Sequence, residues 1–306
     1  MNAPSLAVVI VSWNVAEPLS RCLDSLHAES AGTSRRSSVW VLDNDSGDDT
    51  FERLRNDYPW VHLIQSDENL GFVAGNNRII HRLLEVESPP DYIWLLNPDT
   101  IVHPHAVEQL LAFMDSHPRA GLVGPKLLNT DGTLQTCAFR FPGVIQPLFD
   151  LHLMPERLYH TRLNGRYPRS WFDQGDPFQI DHPLGAAMLA RTQTIREVGL
   201  LDPDFFMYCE EIDWAWRMRD AGWQAWLVPE AEVTHIGGAS TDQARPKTTR
   251  YLWQSRATLY AKHHKRWVRW LVGQMVRYVF KARLAKADTP AWREAYKSII
   301  SAWSWQ

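Results

Sequence analysis

A regular alternation of short apolar runs and helical patterns over the first 116 residues is the feature that most constrains the fold. Strands are predicted at 6–11, 38–42, 61–64 and 92–96. Helices are predicted at 17–29, 48–57, 75–86 and 104–116. Strand–helix alternation of this kind implies an α/β domain whose mostly parallel sheet is covered by helices on both faces.

Each of the four predicted strands ends in a polar segment. The segments are SWN, DNDSGD, DENLGFVAGNN and NPDT. In sheets of this class, ligands bind at the carboxyl ends of the strands. Four polar strand ends in a row therefore predict a binding site along one edge of the sheet.

The composition is that of a globular protein and argues against several special classes. Of 306 residues, 45% are hydrophobic and 22% are charged, and the net charge of −3 gives no reason to expect a nucleic-acid partner. Cys22, Cys137 and Cys209 lie far apart without CxxC spacing, which is typical of a reducing compartment. The first apolar run, LAVVIV, is too short for a signal peptide or a membrane span.

Two of the polar segments offer groups that suit a nucleotide, and each also has a purely structural interpretation. Asp43 is placed to accept hydrogen bonds from a base or ribose, but a turn of this type also caps the next helix. In NLGFVAGNN, Gly71 and Gly75 open a helix whose N-terminus is a natural phosphate or sugar cradle. The segment is not GxGxxG and lacks the P-loop lysine, which disfavours a dinucleotide or Walker-type site.

Carboxylates and one histidine are candidates for metal binding and acid–base chemistry. Asp99 in NPDT is either a ligand of a hard cation such as Mg²⁺ or Mn²⁺ or the cap of the next helix. Glu210, Glu211 and Asp213 lie near a helix start, where acids are favoured electrostatically and where one of them can act as a general base. His235 follows a strand and precedes two glycines, as a structural residue or a further metal ligand.

The second half is less regular, and its end is basic and rich in tryptophan. Residues 139–180 are expected to be loop-like, a strand is predicted in AAMLA (186–190), and helices are predicted at 192–198, 210–221 and 250–284. The last of these helices carries a basic stripe of Lys265, Arg269, Arg277 and Lys281 beside Trp267 and apolar neighbours. Such a helix either lies on an anionic membrane or packs on the domain or a second subunit, and both interpretations stay open.

Seven segments, taken in order, resemble the inverting glycosyltransferases of family 2, and most closely their rhamnosyltransferase-like branch. They are VVIVSWN, VLDNDSGDDT, NLGFVAGNN, LLNPDT, GPKL, GAAMLARTQTIREVGLLDPDFFMYCEEIDWAWRMRDAGW and VTHIGGAS, over about residues 6 to 240. The resemblance implies the GT-A fold, a Rossmann-like mostly parallel sheet flanked by helices, here with a C-terminal helical tail. The expected division is a glycosyltransferase domain at 1–250, with a nucleotide-sugar half at about 1–125 and an acceptor half at about 126–250, and a basic amphipathic tail at 251–306.

The resemblance assigns roles to the candidate residues. The positions expected to bind the nucleotide, its sugar or its pyrophosphate are Asn14, Asp43, Asn44, Asn69, Gly71, Asn76, Asn77, Asn97, Arg250 and Arg256. Asp99 stands where the family carries the metal-binding aspartate of its DxD motif, with Asn97 at the first aspartate position. His235 matches the histidine that completes the metal site in several relatives. Glu211 takes the place of the catalytic base, with Glu210 as the alternative.

The implied reaction is a single in-line displacement with inversion at the anomeric carbon. The expected donor is dTDP-L-rhamnose, or alternatively another UDP- or GDP-sugar, and the acceptor is a hydroxyl of a cell-envelope polysaccharide or lipid-linked glycan. Mg²⁺ or Mn²⁺ would stabilise the leaving nucleoside diphosphate. The protein is expected in the cytoplasm, with peripheral contact at the inner face of the membrane. The alternatives are a sugar nucleotidyltransferase, disfavoured because SWNVAEP is not a Gly-rich basic loop, and a non-catalytic nucleotide-sugar or glycan binder.

Overall fold

The computed structural model describes residues 5–32, 36–237 and 245–304. The strands are β1 (Leu6–Ser12), β2 (Ser37–Asn44), β3 (His62–Ser66), β4 (Tyr92–Leu96), β5 (Thr100–Val102), β6 (Ala120–Leu128), β7 (Ala138–Phe139), β8 (Phe178–Ile180), β9 (His182–Pro183), β10 (Ala187–Arg191) and β11 (Gln224–His235). The helices are α1 (Ala16–Gly32), α2 (Thr50–Asp57), α3 (Gly71–Glu85), α4 (Ala106–Ser116), α5 (Gln146–Asp150), α6 (Arg169–Gln174), α7 (Thr192–Val198), α8 (Glu210–Asp220), α9 (Arg245–His263), α10 (Arg266–Ala285) and α11 (Pro290–Ala302).

Within the described residues, a nine-stranded sheet forms the centre, in the order β3-β2-β1-β4-β10-β6-β11-β5, with β8 paired to β11. β1 runs parallel to β2 and β4, β2 to β3, and β11 to β6. β10 lies antiparallel between β4 and β6, and β5 and β8 run antiparallel to β11. The predicted mostly parallel sheet flanked by helices is confirmed. The antiparallel strand β10 connects its two parallel parts, β3-β2-β1-β4 and β6-β11.

The sheet carries apolar side chains on both faces because helices cover both. Successive side chains of a strand point to opposite faces. Val8 and Ile10 of β1 therefore join a buried cluster with α1 and α4, whereas Ala7 and Val9 join another with α3 and α8. Double coverage explains why LAVVIV is apolar throughout rather than alternating with polar residues.

Three of the segments for which a prediction was made differ from it in the structure. α3 begins at Gly71 rather than at residue 75, because Gly71, with φ of +78°, turns the chain directly into the helix. The predicted helix at 250–284 is two helices, since the chain is extended at Lys265 between α9 and α10. Residues 139–180, expected to be loop-like, contain α5, α6 and β8.

The C-terminal helices form a bundle that packs on the rest of the chain. Its buried cluster joins α9, α10 and α11 with Leu151, which follows α5. Trp303 donates its indole N–H to the Trp253 carbonyl at 2.8 Å. α9 runs without interruption through residue 250, so the expected boundary at 250/251 falls inside a helix. The division into domain halves and tail stays a prediction.

The predicted basic stripe of the tail is divided in the structure. Lys265 precedes α10, Lys281 is exposed on it, and Arg269 and Arg277 are half-buried. The reason is that steps of four residues drift around a helix of about 3.6 residues per turn. Among the described residues, no helix combines the length and apolar character needed to cross a membrane.

Candidate functional site

The candidate site lies at the edge of the sheet where β1, β2, β4 and β11 end. Parallel pairing places Ser12 beside Asp43, and antiparallel pairing of β11 with β5 places His235 beside Thr100. The segment after β4 joins the segment before β10, because the Asn97 N–H donates to the carbonyl of residue 186 at 2.8 Å. Polar residues from distant parts of the sequence therefore meet at one edge. The last three residues of VTHIGGAS (238–240) lie outside the described residues.

Asp99 and His235 lie side by side at this edge. Oδ1 of Asp99 is 3.4 Å from Nε2 of His235, and both side chains are largely shielded from solvent. Nδ2 of Asn97 lies 3.5 Å from the same ring nitrogen. The backbone closes the arrangement, since the Ile236 N–H donates to the Asp99 carbonyl at 2.9 Å. The two predicted metal ligands thus direct an oxygen and a nitrogen to the same place.

Gln135 orients the His235 ring, and no sequence motif predicts it. Its Nε2 donates to the His235 carbonyl at 3.2 Å and to Oδ1 of Asn129 at 3.0 Å. Its Oε1 lies 2.7 Å from Nδ1 of His235. Because Nε2 of Gln135 is committed to two acceptors, we assign the ring proton to Nδ1, which leaves the Nε2 lone pair facing Asp99. A lone glutamine after a loop carries no signal that would have revealed this role.

The pair fits a divalent cation that is shared with a diphosphate. Mg²⁺ typically takes one or two protein carboxylates and fills its remaining positions with phosphate oxygens and water. A metal-ligating histidine usually donates its other ring N–H to an oxygen, as His235 does to Gln135. In the described part of the chain, no group of three or more His, Cys, Asp or Glu residues is arranged to hold a metal. A cation at Asp99 and His235 would therefore need donor oxygens to complete its coordination.

Asn14 joins the loops that follow β1 and β2. It has a left-handed backbone, φ 53°, and its N–H donates to Oγ of Ser46 at 3.0 Å, while its Oδ1 accepts the Gly47 N–H at 2.7 Å. Asp43 is buried beside this loop, and its Oδ1 has no hydrogen-bond partner among the described residues. Burial raises the pKa of Asp43, although hydrogen bonds with Ser46 oppose the rise. An unpaired buried oxygen is available to a donor group of a ligand.

Asn44 and Asn69 are bonded to each other and to the backbone that leads into α3. Nδ2 of Asn44 donates to Oδ1 of Asn69 at 3.1 Å, and Oδ1 of Asn44 accepts the Leu70 N–H at 2.9 Å. The Asn69 oxygen also accepts the Gly71 N–H at 2.9 Å. Both amides shape the turn between β3 and α3, and their contacts with a donor stay predictions.

The two asparagines of α3 are also bonded within the protein. Asn76 donates to the Phe72 carbonyl at 2.8 Å. Asn77 donates to the Leu201 carbonyl at 2.7 Å and accepts the Leu201 N–H at 3.1 Å. Asn77 thereby joins α3 to the segment after α7. A role for either residue on the donor side of the cleft stays a prediction.

The glycines of α3 are required by packing. A β-carbon at Gly71 would lie 2.6 Å from the Phe206 ring, and one at Gly75 would lie 2.9 Å from a Val11 methyl group. A larger residue would therefore clash with protein side chains at these two positions. Close packing accounts for both glycines, Gly71 against Phe206 and Gly75 against Val11 of β1, and a role for them in binding the donor stays a prediction.

Glu210 and Glu211 begin α8 at the same edge. Tyr208 and Cys209 directly before them have left-handed backbones, φ 67° and 65°, which are strained for residues other than glycine. Oε2 of each glutamate is buried and has no hydrogen-bond partner among the described residues. Burial raises the pKa of Glu211 to about 7, although N–H groups of the helix start oppose the rise. Burial, together with the charge of Glu211, raises the pKa of Glu210 as well.

Glu211 lies close to the turn that carries Asp99. The β-carbon position of Gly185 is 3.7 Å from Cβ and Cγ of Glu211, and the following residue, Ala186, accepts the Asn97 N–H. Residues 185 and 186 therefore connect the glutamate with the segment after β4. A carboxylate with a pKa of about 7 that is connected in this way to the segment carrying Asp99 suits a general base.

Asp213, one turn further along α8, belongs to a buried charged cluster. Its Oδ2 accepts from Nε of Arg217 and its Oδ1 from Nε2 of His263, both at 2.8 Å, and Nζ of Lys262 lies 3.6 Å from Oδ1. Burial tends to raise the pKa of Asp213, but the hydrogen bonds from His263 and Arg217 outweigh it and hold the pKa below its ordinary value. Both oxygens join α8 to α9, so the structure lends no support to a catalytic role for Asp213.

Arg250 and Arg256 lie on α9, and each has an acidic neighbour. Nη1 of Arg250 is 3.8 Å from Glu294, and Nη2 of Arg256 is 2.9 Å from Asp150. The charge of Arg256 also reaches Glu211, where it opposes the rise of the carboxyl pKa. Contacts of either arginine with a pyrophosphate stay predictions.

Two relatives and one family model are similar to the chain in sequence. Residues 3–269 match the model described as glycosyltransferase like family 2. N-acetylglucosaminyl-diphospho-decaprenol L-rhamnosyltransferase of Mycobacterium tuberculosis is 31% identical over 274 residues, which cover 85% of this chain and 81% of that protein. Low-salt glycan biosynthesis hexosyltransferase Agl10 of Haloferax volcanii is 24% identical over 221 residues, 70% of this chain and 61% of that protein.

Two solved structures share the fold. GalNAc-T7 with UDP, GalNAc and Mn²⁺ superposes with a TM-score of 0.62 at 12% identity over 99% of this chain, which spans 56% of that longer chain. TarS 1–349 of S. aureus superposes with a TM-score of 0.51 at 13% identity over 98% of this chain and 81% of that chain. The expected GT-A fold is thereby confirmed. Because the family model covers most of the chain and the rhamnosyltransferase is 31% identical over most of its length, the protein belongs to glycosyltransferase family 2.

Proposed function

We propose that this glycosyltransferase is an inverting enzyme that depends on Mg²⁺ or Mn²⁺ held by Asp99 and His235. The observation that carries the proposal is the 3.4 Å approach of these two side chains at the sheet edge where Glu211 lies. When bound together with the donor, the divalent ion neutralises charge on the leaving nucleoside diphosphate. Gln135 supports this role because its Oε1 accepts from Nδ1 of His235 and thereby favours the ring tautomer whose lone pair is on Nε2.

The chain's own carboxylates carry out the proton transfer and hold the donor. Oε2 of Glu211 takes the proton of the acceptor hydroxyl, and the acceptor oxygen bonds to the anomeric carbon. The bond from that carbon to the diphosphate oxygen breaks on the opposite face, so its electron pair leaves with the nucleotide. One displacement without a covalent intermediate inverts the configuration. The unpaired Oδ1 of Asp43 accepts a hydrogen bond from the nucleotide, and Glu210 is the alternative base.

The proposed donor is dTDP-L-rhamnose, and the proposed acceptor is a lipid-linked glycan or a cell-envelope polysaccharide. The support is 31% identity to a protein named as an L-rhamnosyltransferase of N-acetylglucosaminyl-diphospho-decaprenol. A UDP- or GDP-sugar is the alternative donor. We propose a cytoplasmic enzyme with its nucleotide-sugar half at about 1–125 and its acceptor half at about 126–250.

Thermal unfolding with a panel of nucleotide sugars, each with and without Mn²⁺, tests the donor and the metal. dTDP-rhamnose is expected to raise the Tm only when Mn²⁺ is present, because a ligand that binds the folded state alone stabilises it. Asp99→Asn, which keeps the shape of the side chain, is expected to lose this dependence on Mn²⁺. If no nucleotide sugar stabilises the protein under either condition, the proposal is wrong.

The assignment of the base is tested by Glu211→Gln. This variant is expected to bind the donor normally and to transfer sugar about 100- to 10,000-fold more slowly, which is the usual contribution of a general base. Glu210→Gln is the matched control, because it makes the same change at the neighbouring buried carboxyl. If Glu210→Gln abolishes transfer while Glu211→Gln does not, Glu210 is the base.

A further inference from the structure

Helix α10 has one face packed in the protein and an opposite face covered by exposed aromatic side chains. The residues on its packed face include Val268, Val272, Val276 and Phe280. On the outer face, Trp267, Trp270 and Tyr278 expose 61%, 62% and 78% of their surface, more than any other tryptophan, tyrosine or phenylalanine of the described chain. Their neighbour Leu271 is also exposed. Several large aromatic side chains exposed to water on one helix face indicate a surface that binds a partner.

The same face is basic and lacks acidic residues. Arg266, four residues before Trp270, and Lys281, three residues after Tyr278, are both exposed. α10 contains five lysine and arginine residues and no aspartate or glutamate. In the wider stretch 243–287 lie 12 of the chain's 32 Lys and Arg residues and none of its acids. A chain with a net charge of −3 therefore concentrates positive charge around this helix.

We propose that the outer face of α10, formed by Arg266, Trp267, Trp270, Tyr278 and Lys281, binds the surface of a lipid bilayer that contains anionic phospholipid. Tryptophan and tyrosine have an apolar body and a polar tip, so they settle at the level of the headgroups. Arg266 and Lys281 pair with the anionic headgroups on either side of the rings. The binding strength of such a helix depends on its buried apolar area and on its attraction to anionic lipid, and this face supplies both.

Charge favours a membrane over a second copy of the chain as the occupant of this face. In a two-fold dimer a surface patch meets itself, so the basic residues of two α10 helices would approach one another. No acidic residue of α10 is available to compensate them. An anionic bilayer has the complementary charge. Binding of this face to a membrane determines where the enzyme works and is independent of the donor sugar and of the identity of the base.

Co-sedimentation of the full-length protein with vesicles tests the inference. Vesicles of phosphatidylcholine with phosphatidylglycerol are expected to bind the protein, and vesicles of phosphatidylcholine alone are expected to bind it weakly. Binding should fall as salt is added, because salt screens charge attraction. Trp267→Ala/Trp270→Ala is expected to weaken binding at least about tenfold, through the loss of two inserted rings. Arg266→Gln/Lys281→Gln is expected to weaken it about 25-fold, at about fivefold per charge.

Trp60→Ala is the matched control, since Trp60 is a partly exposed tryptophan that packs on His27 of α1 rather than on the tail. It is expected to bind vesicles like the natural protein. Thermal unfolding of each variant with the nucleotide donor shows whether the fold and the donor site are intact. Absence of binding to anionic vesicles overturns the inference, whatever the outcome for donor binding. A dimer in sedimentation equilibrium that Trp267→Ala/Trp270→Ala dissociates would assign the face to a second copy and overturn it as well.

Discussion

At the scale of single residues, the site is defined by the side-chain atoms that remain unpaired. The asparagines whose amides are bonded within the protein are Asn14, Asn44, Asn69, Asn76 and Asn77. By contrast, Asp43, Glu210 and Glu211 each bury one oxygen without a partner in the described chain. A buried polar atom without a hydrogen-bond partner destabilises the folded protein by about 1–3 kcal/mol. A ligand or a proton that bonds to these three carboxyls therefore stabilises the protein most at these positions.

The role of Gln135 is tested by Gln135→Leu. This variant is expected to weaken Mn²⁺ binding about 10- to 100-fold, as is usual when a hydrogen bond behind a metal-ligating histidine is lost. Calorimetric titration of Mn²⁺ in the presence of nucleoside diphosphate measures the affinity, and ¹⁵N shifts of His235 show which nitrogen is protonated. Thr133→Val is the control, because Thr133 bonds to Asn129 in the same loop without touching the ring. Equal Mn²⁺ affinities in all three proteins would contradict an orienting role.

The raised pKa of Glu211 predicts opposite pH effects on transfer and on stability. The base acts only when ionised, so kcat/KM is expected to rise with pH through about 7 and then level off. The folded protein holds this proton more tightly than the unfolded chain. Protonated Glu211 therefore contributes to the stability of the folded protein in full below the ordinary pKa of 4.5. This contribution is lost as the pH rises through about 7. Urea unfolding across this range should show a weaker pH dependence for Glu211→Gln. A kcat/KM that does not change through neutrality would contradict the assignment.

At the scale of elements, the start of α3 depends on a glycine that meets another segment. Gly71→Ala is expected to lower the free energy of unfolding by about 2–4 kcal/mol, because the new methyl group meets Phe206 and the positive φ is strained. Gly132→Ala is the matched control, with φ of +80° and no atom within 4 Å of the new methyl group. Gly132→Ala should lower the free energy of unfolding by about 1 kcal/mol. Equal losses in urea unfolding would show that backbone conformation alone requires Gly71.

The contact between α8 and α9 depends on the charge of Asp213. Asp213→Asn is expected to destabilise the protein by about 3 kcal/mol, because it leaves Arg217 without its buried counter-charge and changes the partner of the His263 ring. The stabilisation that ionised Asp213 gives the folded protein is present above the ordinary aspartate pKa. It is lost as the pH falls through the lower pKa of Asp213 in the folded protein. Transfer by the folded variant should be unchanged. A large fall in kcat without a fall in Tm would instead make Asp213 catalytic.

At the scale of the whole molecule, the C-terminal helices are part of the folded body. Trp303→Ala is expected to lower the free energy of unfolding by about 3–5 kcal/mol. The ring is fully buried against Trp253, and its N–H donates to the Trp253 carbonyl. Trp267→Ala, in which an exposed ring of the same type is removed, should change stability by less than about 0.5 kcal/mol. Urea unfolding measures both. If Trp303→Ala is as mild as Trp267→Ala, the bundle unfolds independently of the rest.

Elements with a strong local pattern could be predicted closely, and elements made by tertiary packing could not. The run at 92–96 matches β4, and the predicted helix at 192–198 matches α7. β6 has no such pattern, because it contains Gly124 and Pro125, which are poor strand formers. In the structure a β-carbon at Gly124 would lie 2.7 Å from Pro183, so a neighbouring segment requires the glycine.

The sequence by itself determined the α/β class, the edge of the sheet that collects polar residues, and the family. These follow from local periodicity and motif order, because the period of apolar residues records which faces are buried. The family resemblance placed Asp99 and His235 in one metal site, and the tertiary structure supplied their 3.4 Å approach. Only the tertiary structure decided that Gln135 orients the ring and that Asp213 is bonded to His263. Such contacts depend on strand register and helix packing between residues far apart in the chain, and no local pattern encodes them.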